Sequence, residues 1–168
     1  QGSPCNAREL VHGIRARLSE DLWSDFHERK SLDISLLISK VRCRLNIYQT
    51  ARGIALAIRL FRAVTPTIES LNLHPTLSQL VRKRTGLVVI CGATGSGKSS
   101  TMAALVQDIN LHDSQQIITL EKPIEYMIRP KKSLIRQREV GRDTPSFSQG
   151  LIDSLRQDPD VILVGEMR

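Results

Sequence analysis

The sequence predicts an α/β fold, with a parallel-sheet domain built around a phosphate-binding loop and, before it, part of a smaller α+β domain with an antiparallel sheet. Three observations carry this. Residues 92–99 read Gly-Ala-Thr-Gly-Ser-Gly-Lys-Ser and fit the pattern G-x-x-x-x-G-K-[ST] without a mismatch. From Gly86 onward, short β-branched runs alternate with helical patterns. Before that, residues 31–61 alternate apolar and polar with the period of a half-buried strand.

Taken in order, Leu10, Val11, Ile14, Leu18 and Leu22 mark one helical face running to about Phe26. Leu32, Ile34 and Leu36 then alternate, as do Val41, Cys43, Leu45 and Ile47, with Ser39-Lys40 as a tight turn between them. Ile54, Leu56, Ile58 and Leu60 supply a third strand. The meander has one wet face carrying Arg42, Arg44 and Arg59. Thr65-Pro66 and His74-Pro75 bracket a connecting stretch, because a residue before proline is pushed out of the helical region. The expected division is 1–62 for the smaller domain, 63–74 for the linker and 75–168 for the loop-bearing domain.

Within the second domain a short helix is expected over 75–84, with Leu77, Leu80 and Val81 inward. Leu87–Cys91 suits a buried parallel strand, and Met102, Leu105, Val106 and Ile109 mark an amphipathic helix beginning near Lys98. Strands follow at 117–120, 134–140 and 161–164, the last read as buried. Thr144 before Pro145 signals a helix start whose inner side carries Phe147, Gly150, Leu151, Ser154 and Leu155.

Composition narrows the class. The chain has 168 residues, 40% of them hydrophobic, but only 4% aromatic, so its cores are aliphatic. Cys5, Cys43 and Cys91 show no metal-ligand spacing, and an odd number argues against a disulfide framework and for a reducing compartment. No run approaches the length of a membrane span. The net charge of +7 permits an anionic partner, yet no aromatic residues interleave with the basic clusters at 82–84 and 129–132 to stack on bases. A solvated face or a subunit contact is favoured over a nucleic-acid groove.

The loop explains its own spacing. Glycines at 92, 95 and 97 let main-chain N–H groups approach a phosphate where a Cβ would obstruct, and the following helix N-terminus adds unsatisfied donors and partial positive charge. Gly92, Ala93, Thr94, Gly95, Ser96, Gly97, Lys98, Ser99 and Ser100 are therefore the candidate nucleotide site. Lys98 would reach the β- and γ-phosphates, and the Ser99 hydroxyl would ligate Mg²⁺. Cleavage also needs carboxylates. Glu121 sits at the carboxyl end of one predicted strand, with Glu125 close behind, and Glu166 follows the apolar run 161–164. Such enzymes usually end this second motif in Asp-Glu. Here Gly165 holds the aspartate position, which leaves Glu121 or Glu125 to serve the metal and Glu166 to polarise water.

Residues 86–168 resemble the motor ATPases of type II secretion systems and type IV pili, together with type IV secretion relatives. The pieces that carry the resemblance are Gly86–Val89 before GATGSGKSST, Ile118–Tyr126, Ser133–Thr144 with its QREVGRDT, and DPDVILVGEMR at 158–168. Arg42–Asn46 and Gly53–Leu60 resemble the end of the family's preceding PAS-like domain, so the likeness runs from about Phe26 onward. It implies a RecA-like core and an ATP- and Mg²⁺-dependent homo-hexamer. That motor would work with an inner-membrane platform protein and sit in the cytoplasm, peripheral to the bacterial inner membrane. It further implies catalytic Glu166, an acidic box at Glu121 and Glu125, arginines at 44 and 59 facing nucleotide, and Arg138 and Arg142 at nucleotide or subunit boundaries.

Three departures stand out. Lys122 replaces an aspartate, Ala93 replaces a proline, and the sequence ends before the family's histidine box, so a truncated core with weak activity is expected. The alternatives are a DNA-handling ATPase of a conjugation-type system and a non-motor P-loop nucleotide-binding protein.

Overall fold

The computed structural model describes residues 7–38, 41–61 and 64–166. The chain divides into two compact units, Gln1–Phe61 and Arg62–Arg168. The 39–40 turn expected from the sequence lies outside the described residues.

In the first unit, α1 (Ala7–Arg15) and α2 (Glu20–Arg29) replace the single helix expected to run to Phe26. The break has a local cause. Ser19 is extended and caps α2, its hydroxyl accepting from the Leu22 N–H at 3.4 Å. At the other end Lys30 takes the left-handed conformation and returns its N–H to Phe26 O. Three antiparallel strands follow, β1 (Ser31–Ile38), β2 (Val41–Thr50) and β3 (Gly53–Leu60), in the order β1-β2-β3. The register pairs Leu32 with Ile47, Ile34 with Leu45, and Ile47 with Leu56, so one face is mostly aliphatic. Ile14, Leu18, Phe26, Leu32 and Ile47 form the core there, with Trp23, Ile34, Ile54 and Leu56 packed around it.

The second unit begins with the connecting stretch, which is folded onto it. Ile68 is buried against Ala104 and Leu105, with Leu71, Leu73 and Leu77 alongside. The next elements are α3 (Thr76–Val81), α4 (Lys98–His112), β4 (Gln116–Glu121), β5 (Leu134–Glu139), α5 (Phe147–Ser154) and β6 (Val161–Val164). The strands are parallel in the order β5-β4-β6.

Four expectations need correction. Residues 87–91 form no strand. A strand exists only by its ladder, and no described strand pairs with them. Leu87, Val88 and Val89 are accordingly exposed, as is Cys91, and Ile90 alone reaches the Ile68 cluster. Helix α4 is not simply amphipathic. Ala103, Ala104, Leu105 and Val106 are all buried, because one side packs on the sheet and another on the 68–77 segment. The cap of α5 is Ser146, whose hydroxyl accepts from Gln149 N at 3.1 Å, while Thr144 is buried in a bridge to Val140. Its inner side is Gly150 and Ser154, with Leu151 and Leu155 exposed. Finally, β6 is half-buried, since it pairs with β4 on one edge only among the described strands.

Candidate functional site

Side chains alternate across a strand, so the parallel register sorts the second unit's sheet into two faces. Ile117, Thr119 and Glu121 of β4 align laterally with Ile135, Gln137 and Glu139 of β5. On β6, Val161 and Leu163 align with Ile117 and Thr119. This face lies under α4, where Val106 and Ile109 pack on Ile117 and Ile135. Along the strands it changes from an aliphatic row through Thr119 and Gln137 to the carboxylates Glu121 and Glu139 at the carboxyl ends. That end is where open α/β sheets bind ligands.

Glu121 and Glu166 come from adjacent strand tips. Leu120 pairs with Val164, and the Gly165 N–H donates to Leu120 O at 2.8 Å, so Glu166 starts one residue beyond this last rung. A Cβ on Gly165 would stand 3.1 Å from Leu120 O, 3.4 Å from Glu121 Cα and 3.7 Å from Glu121 Cγ. A side chain at 165 would therefore crowd the Leu120 carbonyl and lie in contact with the base of Glu121. Glu125 is half-buried on the segment after β4, and Glu166 is exposed.

The glycine-rich loop is an exposed turn over 94–97 leading directly into α4. Gly95 and Gly97 have φ of 80° and 94°, which only glycine adopts without strain. A Cβ on Gly92 would meet Ser96 Oγ at 2.7 Å. The Lys98 ammonium folds over the loop and donates to Gly92 O at 2.9 Å and Ala93 O at 2.8 Å. Ser99 is exposed at the first turn of α4, and Ser100 Oγ lies 2.8 Å from the Tyr126 hydroxyl, which joins that turn to the segment following Glu121. Among the described residues no group of three or more His, Cys, Asp or Glu could hold a metal unaided. The donor set of Ser99 hydroxyl and Glu121 carboxylate nevertheless suits Mg²⁺, a hard cation held chiefly by substrate phosphates and one or two protein oxygens.

The arginines are disposed differently. In the first unit Arg44 and Arg59 are direct cross-strand partners on the polar face of the sheet, with Arg44 ion-paired to Asp33 and Arg59 exposed. In the second unit Arg138 is on the α5 face of β5, opposite Gln137 and Glu121. It donates to Asp143 O at 3.1 Å and stands 3.5 Å from Asp153. Arg142 donates from Nε and Nη2 to Asp143 at 3.0 and 2.8 Å. That hydrogen-bonded pair, helped by Glu139 for the arginine, raises the Arg142 pKa and lowers that of Asp143. The structure thus groups Glu121 with Glu166, and sets Arg138 and Arg142 among acidic partners in and around their own loop.

Sequence reasoning missed three polar residues that shape this region. Asn110, fully buried in α4, donates from Nδ2 to Arg129 O at 2.9 Å and accepts from Lys131 N at 2.8 Å. Glu139, 7% exposed, accepts from Ile124 N at 3.3 Å. Gln137 accepts from Ile128 N at 2.8 Å. Together they pin the loop between β4 and β5 at both ends and in the middle. The available signal was polar residues at inward positions, Gln137 and Glu139 each two steps from the core residue Ile135 or from one another.

Comparison with known proteins places the chain. Residues 8–168 match the family model described as Type II/IV secretion system protein, and the chain belongs to that family. It is 38% identical over 169 residues to the uncharacterized protein YggR of Escherichia coli K12, covering 100% of this chain and 52% of that protein. It is 41% identical over 160 residues to the type IV pilus retraction ATPase PilT of Pseudomonas aeruginosa, covering 94% of this chain and 46% of the relative. The crystal structure of the pilus retraction motor PilT with bound ADP superposes with a TM-score of 0.86 at 42% identity, over 90% of this chain and 44% of that one. The Legionella pneumophila ATPase DotB matches with a TM-score of 0.74 at 25% identity, over 100% of this chain and 49% of that one. The chain thus spans about half the length of the curated relatives it matches. No described helix is long and apolar enough to cross a membrane.

Proposed function

We propose that this protein is the ATP-hydrolysing subunit of a hexameric motor that powers pilus dynamics or protein secretion, built on a RecA-like core. The observation that carries this reading is the placement of Glu121 and Glu166 at the carboxyl ends of neighbouring parallel strands, in the unit whose glycine-rich loop opens α4. The ADP-bound PilT relative supports nucleotide as the ligand.

In the proposed reaction the loop amides and Lys98 bind the β- and γ-phosphates, Lys98 exchanging its contacts with Gly92 O and Ala93 O for phosphate oxygens. Bound Mg²⁺ would neutralise charge developing between the phosphates. Ser99 and Glu121 hold it, and Glu166 orients the attacking water and accepts its proton. Arg44 and Arg59 are assigned to a site shared with a neighbouring subunit, where a cation offsets charge on the transferred phosphoryl group. A homo-hexamer at the cytoplasmic face of the inner membrane, engaging a platform protein, follows from the same reading.

Lys98→Ala is expected to abolish nucleotide binding. Glu166→Gln should retain binding and lose turnover by about 100-fold or more, the scale of a lost general base. Binding is followed with a fluorescent ADP analogue and turnover by phosphate release. Turnover by Glu166→Gln at the wild-type rate removes Glu166 from its role.

A further inference from the structure

Gln137 bridges three elements with one side-chain head. Its Nε2 donates to Glu121 Oε1 at 3.1 Å and to Tyr126 O at 2.9 Å, while its Oε1 accepts from Ile128 N at 2.8 Å. These partners fix the amide's orientation, because a main-chain N–H can only donate and a carboxylate or carbonyl can only accept. They also fix its chemistry. A glutamate at 137 would aim acceptors at acceptors, and an aliphatic residue would leave Ile128 N–H without this partner. Thr119 donates to the same Glu121 oxygen at 2.6 Å, so two neutral donors converge on Oε1 and set the plane of the carboxylate. Through Tyr126, whose hydroxyl is 2.8 Å from Ser100 Oγ, the network reaches the first turn of α4 directly after Ser99.

We propose that Gln137 is a positioning residue, holding the Glu121 carboxylate in the orientation from which it serves the metal and water of ATP hydrolysis and tying that orientation to the first turn of α4. This rests on the nucleotide-hydrolysing reading above. The amide touches no reacting atom and acts through Glu121. Partners one step removed from a metal ligand orient it, and their loss leaves the ligand present but misdirected.

The test compares wild type with Gln137→Leu and Gln137→Glu in four measurements: thermal stability, fluorescent-ADP affinity in EDTA, Mn²⁺ uptake with ADP followed by electron paramagnetic resonance, and kcat with KM for ATP. Affinity in EDTA and KM should stay near wild type in both variants. Mn²⁺ affinity and kcat should each fall about 10- to 100-fold, the range for displaced outer-shell partners. Wild-type Mn²⁺ affinity and kcat in Gln137→Leu would overturn the proposal. So would a loss of ADP affinity in EDTA that tracks a fall in thermal stability, the signature of a purely structural role. If neither variant folds, Thr119→Val carries the test, since it removes the second donor to Oε1 at constant volume; a drop in Mn²⁺ affinity supports the proposal and wild-type behaviour overturns it. If wild type itself takes up no ADP, the hydrolase reading fails and this proposal with it. If wild type binds and hydrolyses while the variants match it, the proposal alone fails.

Discussion

At the scale of single residues, Asn110 shows how a buried polar group organises a loop that the sequence leaves featureless. Its amide donates to Gln107 Oε1 at 3.1 Å and Arg129 O at 2.9 Å, and it accepts from Lys131 N at 2.8 Å. The Lys132 N–H adds a bond to the Asn110 main-chain carbonyl at 3.0 Å. Truncation removes partners from at least two half-buried main-chain groups, and leaving a buried polar group unsatisfied costs about 1–3 kcal/mol. Asn110→Ala is expected to lower stability by about 2–4 kcal/mol in denaturant unfolding, on the same reasoning. A loss under about 0.5 kcal/mol, the level of an ordinary surface change, would mean that the 129–132 segment is held by something else.

At the scale of elements, the contact between β4 and β6 decides how much room position 165 has. Gly165 sits against the Leu120 carbonyl and the base of the Glu121 side chain, with 3.1 Å from its built Cβ to Leu120 O. A backbone carbonyl in a ladder cannot move aside as a flexible side-chain end can. Gly165→Ala should therefore cost about 1–3 kcal/mol as an overpacking change. Gly165→Asp should cost more and reduce turnover, because it brings a second carboxylate beside Glu121 and like charges repel at that range. Stability by calorimetry and turnover by phosphate release check both. A Gly165→Asp protein as stable and active as wild type would show that position 165 has room for a side chain.

At the scale of the whole molecule, the acidic and basic parts of the proposed reaction lie on separate compact units, Glu121 and Glu166 on the second and Arg44 and Arg59 on the first. A site shared between subunits makes a direct prediction. Arg59→Ala and Lys98→Ala proteins, each inactive alone, should regain some turnover when mixed, because a mixed assembly contains sites with both groups intact. A titration of one variant into the other, read as phosphate release, should pass through a maximum. Zero activity at every ratio would count against sharing. The DNA-handling alternative makes the opposite kind of claim, a steep salt-dependent affinity for DNA, and salt-insensitive or absent binding removes it.

Much of this protein was determined by its sequence alone. The glycine spacing specifies the exposed turn that opens α4 through local backbone freedom, and period-two alternation specified β1, β2 and β3 to within a residue or two. Both are short-range effects that neighbouring residues decide. Tertiary structure decided the rest. Whether 87–91 is a strand depends on a partner elsewhere in the chain, and the burial of α4 on two sides depends on which segments pack against it. The division of labour among Gln137, Arg138 and Glu139 depends on which face of β5 meets α4 and which meets α5. A one-residue shift in register would exchange those faces, and only the ladder with β4 fixes it.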